Sequence, residues 1–78
     1  MVTLEEFKET AFKKFMQYEA RGASEEEVRK FFKEEDFDGF AETVYAEAIA
    51  DYKRGDIPED RILGARASIV SSNLGMEF

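Results

Sequence analysis

The sequence predicts an all-α fold, a compact bundle of about four helices, on three observations. Apolar residues recur at i, i+3, i+4 and i+7 along most of the chain, the spacing that one face of a 3.6-residue helix requires. Two capping boxes, Thr3 with Glu6 and Ser24 with Glu27, stand immediately before such stretches. Gly22, Gly55 and Pro58 fall between the periodic segments, where turns need them.

The first helix is expected over residues 4–21. Leu4, Phe7, Ala11, Phe12, Phe15, Met16 and Tyr18 form its apolar face, and Gly22 supplies a left-handed residue to end it. The second is short, 25–35, with Val28, Phe31 and Phe32 facing inward. Glu25, Glu26 and Glu27 suit the positive end of its dipole, whereas Glu34, Glu35 and Asp36 oppose its continuation. Asp36-Phe37-Asp38-Gly39 reads as a turn into the third helix, 39–54. There Phe40, Ala41, Val44, Tyr45, Ala48, Ile49 and Tyr52 keep the helical spacing almost without error, which marks this helix as the centre of the fold. Lys53 and Arg54 favour its C-terminal dipole and Gly55 closes it. Pro58 opens the fourth helix, 58–73, because proline at the first helical position gives up an amide that has no intrahelical partner. Gly75 is expected to end it.

Residues 1–78 make a single domain with no linker, repeat or low-complexity stretch. At this size a core is hard to complete without staples. The chain has no Cys and no His, so disulfides and the common zinc ligands are absent. Eight Phe and three Tyr are the available resource, each ring burying roughly 150–250 Å². The lack of imidazole and thiolate removes most proton-shuttling and nucleophilic chemistry, so no enzymatic activity, cofactor or metal is expected. A net charge of −7 opposes direct binding to nucleic acid or to anionic membranes. No apolar run approaches the ~20 residues of a membrane span, and the N-terminus lacks the features of a secretion signal. A cytoplasmic protein is the expectation.

Two arrangements of carboxylates bear on chemistry. Setting Gly39 at the glycine of an EF-hand calcium loop places Glu34, Asp36 and Asp38 at ligand positions. The bidentate glutamate six residues later is then Tyr45, so an Asp-rich turn and N-cap is the stronger reading. Glu47 and Asp51 share a helix face but lie opposite the apolar stripe, where solvation leaves paired acids chemically ordinary.

Two surfaces remain for partners. Glu25, Glu26, Glu27, Glu34, Glu35, Asp36 and Asp38 crowd into fourteen residues and suit the basic groove of another protein, one that handles nucleic acid, which the chain would inhibit by charge mimicry. Arg29, Lys30 and Lys33 interrupt that field, and a merely solvated face is the simpler account. The alternative is a helical structural or assembly subunit, docking or self-associating through Phe12, Met16, Gly64, Ser68, Ser72 and Phe78. Surplus aromatic residues and a row of small residues would build that face, and a homo-oligomer is its simplest product.

Overall fold

A computed structural model describes residues 1–78 as four helices with no strand. They are α1 (Leu4–Tyr18), α2 (Glu25–Glu34), α3 (Phe37–Lys53) and α4, which opens as a π-helical turn (Ile62–Arg66) and continues as α-helix over Ala67–Glu77. The accessible surface is 4935 Å², close to the roughly 4,900 Å² expected of a folded monomer of 9.0 kDa. The chain is therefore as compact as a folded monomer of its mass.

Both capping boxes form. The Thr3 hydroxyl accepts from the Glu6 amide at 3.1 Å while the Glu6 carboxylate accepts from the Thr3 amide at 3.0 Å. Ser24 and Glu27 repeat the exchange at 3.1 and 3.2 Å. Helix α1 stops at Tyr18, short of the expected residue 21. Ala20 is buried, and Arg21 and Gly22 are both left-handed, with φ of 52° and 84°, so the reversal takes a pair of residues and starts earlier than Gly22 alone implies. Helix α3 starts two residues early, because its N-cap is Asp36: that carboxylate accepts from the Gly39 amide at 3.3 Å. Its far end is a Schellman closure, in which Gly55 N–H donates to Tyr52 O at 3.0 Å and Asp56 N–H to Asp51 O at 2.9 Å.

Helix α4 departs furthest from expectation. Val70, Ser71 and Leu74 share the buried face with Ala67 at ordinary helical spacing, but buried Ile62 lies five residues before Ala67. In a regular helix those two side chains point about 140° apart. The wider π turn, with i→i+5 bonding, brings them onto one face. Gly75 does not end the helix, which runs to Glu77. It is buried against the side chain of Glu19, and the extra length carries Phe78 to the rings of Phe15 and Phe31, with centroids at 5.3 and 4.8 Å.

The centre of the fold is the α1–α4 pair rather than α3. These two helices run side by side in the same direction. Near their starts the Met1 ammonium lies 4.0 Å from Glu59, and near their ends Phe15 meets Phe78. Helix α3 crosses antiparallel to α1, fixed by Lys8–Asp38 at 3.4 Å and by the Tyr45 hydroxyl donating to Val2 O at 2.6 Å. Helix α2 closes one side through Phe32, which stacks on Phe37 at 4.3 Å and meets Phe15 edge-on at 4.9 Å. No helix is long and apolar enough to cross a membrane.

Candidate protein-docking surfaces

The seven acidic residues from Glu25 to Asp38 are all exposed, but the helix does not gather them onto one face. Helical spacing sets Arg29, Lys30 and Lys33 along the outward side of α2 with Glu26 among them, and Lys30 stands one turn from both Glu26 and Glu34. Four of the seven carboxylates are engaged within the chain. Glu25 pairs with Arg29 at 3.5 Å and Asp38 with Lys8, while Glu27 and Asp36 serve as caps. Glu26, Glu34 and Glu35 are the three with no partner of their own.

The cationic side of α2 borders an open groove of about 800 Å³ between α1, α2 and the start of α3. Its apolar floor is Phe12, Phe32 and Phe37, and the Arg29 guanidinium lies 4.3 Å above the Phe12 ring. Lys8, Arg29, Lys30 and Lys33 face Glu5, Glu9, Asp36 and Asp38 around it. Equal numbers of each sign leave no single-sign field.

The expected Phe-rich face is spent inside the molecule. Phe12 meets Phe32 edge-on at 5.6 Å, Met16 is half-buried against the core, and Phe78 packs on Phe15 and Phe31. None of the eight Phe side chains is left exposed, because edge-to-face packing lets the surplus rings shield one another. The small-residue row also sits differently from a monomer packing row. A Cβ built at Gly64 would touch nothing within 4 Å, and Ser72 is exposed. Close approach within the bundle falls instead to Ala67, Ser71 and Gly75, which are buried.

What stays bare is the opposite side of α4. Ala65, Ile69, Ser72 and Met76 are exposed at spacings of four, three and four, one helical stripe. Of the four large apolar side chains exposed anywhere, Ile69 at 44% and Met76 at 82% are on this stripe. Polar groups beside it are already satisfied: Ser68 Oγ donates to Gly64 O at 2.9 Å and Asn73 Nδ2 to Ile69 O at 2.8 Å. Sequence reading reached Ser72 on this stripe but missed Ile69 and Met76, although a signal for them existed. From Ile62 to Met76 the only charged residue is Arg66.

Arg66 is folded away from that face. Its guanidinium meets the Asp51 carboxylate at 2.8 Å, and Asp51 also binds Arg54, whose Nε reaches Asp56 at 3.1 Å. The hydrogen bond from Arg66, helped by the charge of Arg54, holds the Asp51 carboxyl below its usual range. Hydrogen bonds from Thr3 lower Glu6. Arg54 is raised, first by its bond to Asp56 and then by the charge of Asp51. Asp51 is thus a structural anchor, and Glu47 remains separately exposed. Tyr45, at the position a calcium loop reserves for glutamate, is engaged with Val2. No three acidic side chains converge at metal-ligating separation. The chain matches no known protein family, and neither curated proteins nor solved structures match it.

Proposed function

We propose that this chain is a non-enzymatic protein-binding domain that docks through the outward face of α4, as a helical assembly subunit. The observation that carries this reading is the charge-free stretch from Ile62 to Met76, broken only by the tethered Arg66, in a chain with 37% charged residues. A helix that is apolar all round belongs in an interior, and α4 is the most apolar of the four. Here one side has no neighbour in the fold, and a partner would provide it.

A second reading is favoured by the exposure of Glu26, Glu34 and Glu35 without ion pairs. In it the α2 region engages a basic groove of a nucleic-acid-handling protein as an inhibitor, by charge mimicry. The cations of α2 weaken the field it would use.

Photo-crosslinking in the source cell separates the two. A photoreactive residue in place of Met76 is expected to capture a defined partner, and one in place of Glu26 is expected not to. Adducts formed only from position 26, and lost both at high salt and in a Glu26→Gln, Glu34→Gln, Glu35→Gln variant, would establish the second reading and sink the first.

A further inference from the structure

We infer that the occupant of the α4 face is a second copy of this chain, its α4 laid antiparallel across the first about a two-fold axis. The inference rests on reading α4 as a docking face and adds the identity and register of what docks. Along the stripe the side chains alternate in size: Ala65 small, Ile69 large, Ser72 small, Met76 large. An antiparallel pairing sets Met76 opposite Ala65 of the second copy and Ile69 opposite its Ser72, and the two-fold repeats both contacts. Large then meets small at every level, the condition for interlocking layers. A parallel pairing would set Ile69 against Ile69 and Met76 against Met76, leaving the small residues to face one another. The face is therefore complementary to itself in one direction only.

Charge limits where two copies can meet. Each copy carries −7, so two copies meet with least repulsion where neither presents a carboxylate, and this stripe is such a place. The remaining charges lie around the rim and are screened over about 8 Å at physiological salt. Size sets the strength. The stripe from Ala65 to Met76 is about 17 Å long at 1.5 Å per residue. Crossing two such faces buries on the order of 1,000 Å² in total, the lower bound for a specific interface. The dimer joins two finished monomers and is weak.

Sedimentation equilibrium of the whole chain from about 20 μM to about 1 mM, a range in which weak self-association is visible, reads this directly. The mean mass is expected to rise from 9.0 kDa toward twice that value, and to rise further as salt is added. Ile69→Glu and Ala65→Leu, both at exposed positions and checked for helicity by circular dichroism, are expected to remain at the monomer mass. Combining Ala65→Leu with Met76→Ala exchanges large and small across the pair and is expected to restore the dimer. A wild-type chain that is monomeric at every concentration overturns the second copy as occupant, while photo-adducts from position 76 to a different protein would still uphold α4 as a docking face. A dimer that survives Ile69→Glu, or that dissolves on adding salt, overturns the use of this face. Failure of the double variant to regain the dimer overturns the antiparallel register.

Discussion

Asp36 performs two tasks that pull against each other. It adopts a left-handed conformation, φ 51°, which Asp tolerates better than most residues, and it caps α3 through Gly39. Asp36→Ala removes the cap and leaves a Cβ in the left-handed region, for a loss of about 2 kcal/mol. Asp36→Gly keeps the backbone at ease and should lose clearly less; urea denaturation of the two variants tests the ranking. Gly39 is glycine for a related reason, since a Cβ there would displace the Asp36 carboxylate. Phe15, fully buried and in contact with the rings of Phe31, Phe32 and Phe78, is the most exposed to damage by truncation. Phe15→Ala is expected to cost about 3–5 kcal/mol, against a total of roughly 4–12 kcal/mol for a domain of this length. Phe78→Ala, at a half-buried terminus, should cost about 2 kcal/mol, a fall in Tm of roughly 8–16 °C for a domain of this size.

At the scale of the element, acid should loosen the molecule at its tethers first. Asp51 joins α3 to the π turn of α4, and Glu6 caps α1. Both carboxyls titrate below their ordinary values of 3.8 and 4.5. A depressed folded-state value means that the stability each contributes is complete above its ordinary value and disappears as pH falls through the lowered one. Stability should therefore be level near neutrality and decline below about pH 4.5. Asp51→Asn should flatten the part of the decline that lies below pH 3.8; denaturation midpoints measured from pH 6 to about pH 2 give the answer. Elements of this kind were unevenly legible in the sequence. Thr3–Glu6 and Ser24–Glu27 announced two helix starts, because a capping box is a purely local bargain between four residues. The π turn was hidden, since Ile62 and Ala67 reveal their five-residue offset only when a neighbouring helix demands both on one side. Gly75 misled for the same reason: its local habit is to end helices, and tertiary contact with Glu19 overrides it.

For the whole molecule, charge and hydrophobicity divide differently from what composition suggests. The acidic excess between Glu25 and Asp38 lies at the surface, yet α2 interleaves it with the cations Arg29, Lys30 and Lys33. The Phe surplus is expected to spill outward, yet none of the eight rings is left exposed, and edge-on contacts among Phe12, Phe15, Phe31, Phe32 and Phe78 take up most of the excess. The scarce commodity turned out to be charge itself, missing over one helix. That absence was visible in the linear sequence, but only the fold shows that half of the uncharged helix has no neighbour. Fold class, helix number and approximate limits were thus readable from periodicity. Which helix is central, and which face is bare, depended on long-range packing that periodicity does not encode.

The side-by-side placement of α1 and α4 also governs how this chain gains its structure. Helices α2 and α3 are neighbours in sequence and meet after a short turn, so their contact costs little chain entropy. Joining α1 to α4 directly closes a loop of about 50 residues, an entropic cost of about 3.5 kcal/mol. Until that loop closes, Phe15 lacks Phe78 and Ile62 lacks its cover, and neither half retains an enclosed core. By chain entropy alone, the meeting of the first and last helices is the most costly pairing in the fold.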